Sequence, residues 1–148
     1  MIKRFDYDDI RLHVSALDCK DAIQKAADIL IGKGNITQQY VEEMMDVFQT
    51  YGPYFVLAPG MAFAHSKPSD SVKKTSLSMI TLDEPVNFGS EKNDPVYLVC
   101  VIASQNNHDH LDMLKSIVTF LSDEHNVEAM KHAGTEEEKR RIIDSLNH

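Results

Sequence analysis

The segment from Val96 to Ala103 constrains the fold more than any other part of the chain. It is short, almost wholly apolar and rich in β-branched residues, which is typical of a central strand covered on both faces. A sheet with two covered faces needs layers packed on each side, and the rest of the sequence offers amphipathic helices for this purpose. The pattern therefore predicts an α/β domain whose sheet is flanked by helices.

Two helices are predicted before this strand. Asp18 is a candidate N-cap for the first, whose apolar residues recur at three- and four-residue spacing until Gly32-Lys33-Gly34 ends it. Thr37 is a candidate N-cap for the second, which stops at Tyr51-Gly52-Pro53. Each helix has one apolar face, and this face is expected to be buried.

Three helices are predicted after the strand. Asn106 or Asn107 is a candidate cap for the first of them. Its apolar positions are Leu111, Leu114, Ile117, Val118 and Leu121. A short helix follows and ends at Lys131. Thr135 and Glu138 then have the spacing of a capping box, which predicts the start of a closing helix.

Two further strands are predicted in the middle of the chain. Tyr54 to Ala58 is a short apolar run closed by the turn residues Pro59-Gly60. Residues 75–82 nearly alternate between their two faces, and Asp83-Glu84-Pro85 is expected to end that strand. The sequence contains no internal repeat and no linker, so residues 1–148 are expected to form a single domain.

The charge balance excludes several classes of function. Fifteen Lys and Arg against twenty-three Asp and Glu give a formal net charge of −8. Because no basic run interrupts this balance, binding to nucleic acid or anionic lipid is not expected. The start of the chain is charged, and no segment approaches the roughly 18 apolar residues of a membrane span. Cys19 and Cys100 lie in apolar stretches, which predicts buried, reduced thiols. We therefore expect a cytoplasmic protein without direct membrane insertion.

The chain contains seven histidines, and they differ in chemical interest. Three of them occupy polar or terminal positions and are predicted to be solvated: His13, His132 and His148. His125 follows a helix start and is predicted to have no chemical role. His65 follows Pro59-Gly60 at the edge of a strand segment, where a rigid sheet can display a reactive group. Its position alone favours a structural histidine bonded to a backbone carbonyl over a reactive one.

His108 and His110 come directly after the central strand, at the start of the third helix. A helix N-terminus carries unpaired amide donors and a partial positive charge, which favour a bound anion such as phosphate. The same field disfavours a protonated histidine, so a neutral imidazole that donates a hydrogen bond is expected there. His108 is expected to face water. His110 lies one turn before Leu114, at the mouth of the buried face.

Several common active sites are not supported by the sequence. His65, His108 and His110 could in principle bind zinc, but HExxH and paired-Cys spacings are missing. There is no G-x-S-x-G turn for a serine hydrolase, and no P-loop or dinucleotide fingerprint. We expect a site without metal or cofactor, in which a histidine accepts a group beside a helix terminus suited to phosphate.

Three segments resemble a known family. The sequence from Gly52 to His65 (GPYFVLAPGMAFAH) is similar to the segment around the phosphorylated histidine in mannitol/fructose-type enzyme IIA domains of the bacterial phosphoenolpyruvate-dependent sugar phosphotransferase system (PTS). Pro85 to Ser90, followed by Asn93 to Val96, is similar to the family's strand-loop-strand. His110-Leu111 resembles the start of its helix with a second active-site histidine. The resemblance covers nearly the whole chain and is strongest to the ascorbate-specific branch.

The resemblance implies the mixed-sheet fold of the mannitol/fructose-type enzyme IIA and the role of a phosphocarrier. His65 would accept a phosphoryl group from the carrier protein HPr and pass it to a cysteine of the cognate enzyme IIB, which in turn serves a membrane component IIC. His110 would donate a hydrogen bond to the phosphoryl oxygens. The transported compound would be ascorbate or a related sugar. The resemblance does not decide between a monomer and a homodimer.

Weaker phosphoryl-binding roles fall on Lys67, Asn107, His108 and Asp70. Lys67 supplies a positive charge where the ascorbate branch often has arginine, and there is no arginine between Tyr40 and His65. Met61 and Phe63 are expected to belong to the core, although either one, if exposed beside His65, would suit a transient docking surface. The acidic surface is expected to steer HPr electrostatically.

Two other interpretations stay open. The first is a regulatory module that binds a protein in a phosphorylation-dependent way and does not serve transport. The second is a small-molecule binding domain whose histidines are incidental.

Overall fold

A mixed five-stranded sheet forms the centre of the protein, which we describe from a computed structural model over residues 5–147. The strands are β1 (Ile10–Val14), β2 (Val56–Ala58), β3 (Met61–His65), β4 (Ser76–Val86) and β5 (Val96–Ala103). Their order across the sheet is β1-β4-β5-β3-β2. β1 is parallel to β4 and β3 is parallel to β5, whereas the other two pairs are antiparallel. The predicted mixed sheet flanked by helices is confirmed.

Five helices cover the two faces of the sheet. They are α1 (Cys19–Gly32), α2 (Gln38–Tyr51), α3 (Asn107–Leu121), α4 (Glu124–His132) and α5 (Glu136–Leu146). One apolar core lies between the sheet and α1 and α2, and the other lies between the sheet and α3 to α5. The predicted caps at Asp18 and Asn106 and the capping box of Thr135 and Glu138 are all present.

The central strand β5 contributes to both cores, as its composition predicts. Val99 and Val101 pack toward α1 and α2, while Cys100 and Ile102 pack toward α3 to α5. All four side chains are completely buried. A strand between two helical layers therefore needs apolar residues at every position, which explains why its sequence does not alternate.

Three expectations about the strands were incomplete or wrong. The sequence patterns did not predict β1 or β3 as strands. The segment Asp83-Glu84-Pro85 does not end β4, which continues to Val86 and pairs it with Val96 beyond an irregularity in the register. The partner strand β1 ends at Val14, so the far end of β4 lies at an open edge, where a proline costs no ladder hydrogen bond.

Some side chains are more exposed than their patterns predict. Cys19 is only half-buried, although Cys100 is fully buried as expected, and burial raises the pKa of both thiols. On α3, Leu111 and Val118 are 63% and 48% exposed. His13 and His132 are exposed, as predicted, and His125 is exposed too, whereas His148 lies outside the described residues. Within residues 5–147, no helix combines the length and apolarity that a membrane span requires.

Candidate active site

The sheet topology brings His65 and His110 together. β3 and β5 are neighbouring parallel strands, so their carboxyl ends lie at the same edge of the sheet, where α/β proteins commonly bind ligands. His65 is the last residue of β3 and is paired with Ile102. The chain leaves β5 at this edge and enters α3, whose first turn contains His110. The two imidazole rings lie 5.0 Å apart between centroids.

A backbone hydrogen bond fixes the tautomer of His65. Its Nδ1 lies 2.7 Å from the carbonyl oxygen of Phe63. Because a carbonyl can only accept, Nδ1 carries the proton in the neutral ring and Nε2 keeps a free lone pair. The rings of Tyr54 and Phe55 pack at centroid distances of 5.6 and 5.5 Å. The imidazole is thus held in place with Nε2 as its nucleophilic atom.

Both histidines are held in the neutral form. Burial lowers the pKa of His65 below its usual range, against the opposing effect of the hydrogen bond to Phe63. Burial also lowers the pKa of His110, and a positive charge on His65 would lower it further. A neutral imidazole is a nucleophile at neutral pH without a separate base.

The start of α3 is braced where it presents His110. The side chain of Asn106 accepts a hydrogen bond from the amide of Asp109 at 2.8 Å. The carboxylate of Asp109 in turn accepts from the hydroxyl of Thr75 at 3.0 Å. The Nδ1 atom of His110 is buried and has no hydrogen-bond partner within residues 5–147. A buried polar atom without a partner calls for an explanation, and a bound ligand is one.

A pocket of about 390 Å³ opens beside the two histidines. Its lining comes from the end of α2, the turn before β2, the end of β3 with the residues that follow it, and the start of α3: Val47, Tyr51, Tyr54, His65, Ser66, Lys67, Pro68, Asn107 and His110. Lys67 is exposed and supplies the cationic side chain of this lining. Asn107 is the first residue of α3, next to the positive end of the helix.

The two remaining predicted residues lie outside the pocket lining. His108 is exposed, and its Nε2 lies 3.4 Å from the carboxylate of Asp112. Asp70 is also exposed, and its backbone carbonyl accepts a hydrogen bond from Lys73.

The described residues contain one acidic cluster with the spacing of a metal site, formed by Asp6, Asp8 and Asp9. Lys33 ion-pairs with all three carboxylates at distances of 3.6, 2.8 and 2.5 Å. Their charge is therefore already balanced in part by a lysine, and the cluster does not include either histidine of the pocket.

Several residues around the pocket escaped the sequence interpretation. Tyr51 and Tyr54 flank the Gly52-Pro53 turn and line the pocket, with 73% and 37% of their surfaces exposed. Met61 and Phe63 are buried in the core, as expected, so neither provides a docking surface beside His65. The sequence signal for Tyr51 and Tyr54 was a pair of aromatic residues on a turn, where no apolar face of a helix or strand requires them for packing.

Comparisons with known proteins agree on one family. A sequence model of the family described as "Phosphoenolpyruvate-dependent sugar phosphotransferase system, EIIA 2" matches residues 3–146. The chain is 34% identical over 139 residues to the ascorbate-specific PTS system EIIA component of Shigella boydii, covering 93% of this chain and 90% of that protein.

Two solved structures have a similar fold. The crystal structure of IIA mannitol from Escherichia coli has a TM-score of 0.82 at 28% identity, covering 95% of this chain and 99% of that chain. The enzyme IIA in a complex with phosphorylated mannitol enzyme IIB from Escherichia coli has a TM-score of 0.83 at 26% identity, covering 95% of this chain and 97% of that chain.

Proposed function

This chain belongs to the EIIA 2 family of the phosphoenolpyruvate-dependent sugar phosphotransferase system, and from that premise we propose that it is a phosphocarrier whose His65 accepts a phosphoryl group from HPr and passes it to a cysteine of a cognate enzyme IIB. As an EIIA component it is part of a phosphotransferase. We propose that the reaction with these partners takes place in the cytoplasm. The proposal also assigns ascorbate or a related sugar as the transported compound, because the curated relatives are ascorbate-specific.

One observation carries the proposal: the Nδ1 proton of His65 is engaged by the Phe63 carbonyl at 2.7 Å, which reserves Nε2 for a phosphoryl group. The ring is half-buried and lines a pocket, so a docking protein can reach it while the core holds it still. Transfer of a phosphoryl group depends mainly on such positioning, because its loose transition state requires little covalent help.

The transfer balances without an added proton donor. The lone pair of Nε2 attacks phosphorus as the phosphorus–nitrogen bond of phospho-HPr breaks, and the released nitrogen recovers its lone pair. In the second step a cysteine thiolate of enzyme IIB attacks the same phosphorus, and Nε2 recovers its lone pair. The proton stays on Nδ1 of His65, hydrogen-bonded to the Phe63 carbonyl, throughout both steps.

His110 and Lys67 are the proposed partners of the phosphoryl oxygens. The rings of His110 and His65 lie 5.0 Å apart between centroids and line the same pocket, so His110 is in position to donate a hydrogen bond to an oxygen of a phosphoryl group on His65. Lys67 and the amide end of α3 at Asn107 offer positive charge on the same pocket. His108 and Asp70 carry less weight because they do not line it.

The surface around the pocket suits a transient partner. Tyr51 and Leu111 are largely exposed at 73% and 63%, and Tyr54 is exposed beside them in the pocket lining. Exposed aromatic residues with a polar surround are typical of small, short-lived interfaces. We assign this surface to both HPr and enzyme IIB, which must each approach the same nitrogen.

Mass spectrometry tests the proposal directly. Incubation with phosphoenolpyruvate, enzyme I and HPr is expected to add the mass of one phosphoryl group, which acid removes and base leaves in place. Peptide mapping should assign it to His65. His65→Gln should abolish labelling, and His110→Gln should slow it roughly tenfold through the loss of a hydrogen bond to the phosphoryl group. His125→Gln, on the exposed surface of α4, is the matched control and should label like the wild type.

Different failures have different meanings. Undiminished labelling of His65→Gln would show another acceptor, and no labelling of the wild type would favour a small-molecule binding domain. A labelled protein that passes nothing to purified enzyme IIB from ascorbate or mannitol systems would instead be a regulatory module. Preferential transfer to a mannitol-type enzyme IIB would refute the ascorbate assignment alone.

A further inference from the structure

A buried tyrosine ties the acceptor segment to the end of the neighbouring strand. The hydroxyl of Tyr40, on α2, donates a hydrogen bond to the carbonyl oxygen of Ile102 at 2.7 Å. The same hydroxyl accepts from the backbone amide of Ser66 at 2.9 Å. Tyr40 is completely buried, so neither bond competes with water. One side chain thus joins α2, β5 and the residue that follows His65.

The position of this hydroxyl relates directly to His65. Ile102 is the residue paired with His65 in the β3–β5 ladder, and Ser66 is its neighbour in the chain. β3 ends at His65, so regular ladder pairing no longer holds the chain beyond this point. Beyond this point the hydrogen bonds of the Tyr40 hydroxyl hold the chain, and they fix the direction in which the backbone leaves the strand.

A second contact from the same helix holds the following residues. The carboxylate of Glu43 accepts hydrogen bonds from the hydroxyl of Ser69 at 2.7 Å and from the hydroxyl of Ser71 at 3.0 Å. Tyr40 and Glu43 are one turn apart on α2 and so share a face. Lys67 lies between the points that these two side chains hold, so its backbone is anchored on both sides.

We propose that Tyr40 is a positioning residue for phosphoryl transfer, which sets the orientation of the His65 imidazole by holding Ser66 against the end of β5. This inference rests on the proposed phosphocarrier function. It adds a residue that touches neither phosphoryl group nor partner and acts only through His65. The aromatic ring fills the core on its own, whereas the hydroxyl makes the two bonds at issue.

The test compares Tyr40→Phe with a control that loses a different buried hydroxyl. Ser78 on β4 is fully buried, donates to the carbonyl of Ala26 at 2.6 Å and does not line the pocket, so Ser78→Ala is the control. In Tyr40→Phe the maximal rate of transfer from phospho-HPr should fall roughly tenfold, because a small displacement of a reacting group has large effects on rate. The concentration of HPr at half the maximal rate should stay unchanged, since Tyr40 is out of reach of a partner.

Nitrogen NMR of the imidazole rings adds a readout that does not need phosphorylation. Tyr40→Phe should shift the ring resonances of His65 and His110, and Ser78→Ala should leave them in place, with both variants folded at the temperature used. The inference would be overturned if Tyr40→Phe kept the ring resonances and the transfer rate of the wild type, or if Ser78→Ala changed both to the same extent as Tyr40→Phe. A wild-type protein that takes no label would refute the phosphocarrier proposal instead, while shifted rings would still support the positioning of His65 by Tyr40.

Discussion

Replacement of Gly60 by alanine should destabilise the protein more than any other glycine-to-alanine change at a positive φ. Gly60 forms the turn before β3, with φ of +76°. A Cβ atom at this position would lie 2.4 Å from Cε1 and 2.6 Å from Cδ1 of the Tyr97 ring. Real carbon atoms do not approach this closely, so either the ring or the turn must move.

The expected cost has two parts. A left-handed backbone costs a non-glycine residue roughly 1–2 kcal/mol. Forced overlap in a packed region typically adds about 1–3 kcal/mol. The Tyr97 ring cannot move away freely. The backbone amide of Tyr97 donates a hydrogen bond to the Gly60 carbonyl at 2.9 Å, and the Tyr97 ring packs against the core between the sheet and α3 to α5. The total is about 2–5 kcal/mol, a large share of the roughly 5–15 kcal/mol that stabilises a typical domain.

Urea unfolding can separate the two parts. Gly34→Ala is the matched control, because Gly34 has φ of +74° with nothing within 4 Å of an added Cβ. It should cost only the backbone part. The excess cost of Gly60→Ala should then shrink when Tyr97 is also replaced by alanine, as measured by a double-mutant cycle. Equal costs for the two glycine variants, or an excess that does not depend on Tyr97, would refute the reasoning.

Three further predictions concern the site. Because the pKa of His65 and that of His110 are lowered in the folded protein, the unfolded chain binds more protons, so stability should fall as the pH drops below about 6.5, the usual value for histidine. The rate of His65 phosphorylation should not change with pH near neutrality and should fall only below that value. An NMR titration of the His65 ring with a midpoint at or above 6.5 would contradict this. Lys67→Gln should slow transfer roughly tenfold through the loss of a charge that meets the phosphoryl group. Lys73→Gln, at an exposed lysine outside the pocket lining, should leave the rate unchanged; equal losses in the two variants would show that Lys67 contributes only through the general charge of the surface.

Local patterns predicted the helices because each carries its own boundary signals. Asp18, Asn106 and Thr135 accept hydrogen bonds from amides in their own first turns, so only a few neighbouring residues decide where these helices begin. β3 has no such signal. Its residues Met61 to Ala64 are all buried, because the strand lies between two layers, and a short apolar run without alternation does not identify a strand by itself.

The constellation of the site depends on contacts that are distant in the sequence. His65 and His110 meet only because β3 pairs with β5 in parallel, a choice that no local pattern encodes. The resemblance of the His65 segment to a family supplied what the patterns lacked. Tyr40 lies on the buried face of α2, and a tyrosine in the sequence of an apolar helix face implies a buried hydroxyl that needs partners. The sequence thus implies that this hydroxyl has partners, whereas only the structure identifies them as Ile102 and Ser66.

Residue type alone does not explain why His65 rather than another histidine is suited to accept a phosphoryl group. The Nε2 atoms of His108 and His132 lie 3.4 Å and 3.1 Å, respectively, from a carboxylate oxygen one helical turn away. A carboxylate at that distance repels an incoming phosphoryl group and competes for the ring nitrogen that it would occupy. Within residues 5–147, neither His65 nor His110 has a carboxylate at ion-pairing distance, and the only charged side chain in their pocket lining is Lys67. A carbonyl that fixes the tautomer, combined with the exclusion of negative charge, therefore distinguishes His65, the proposed acceptor, from the solvated histidines.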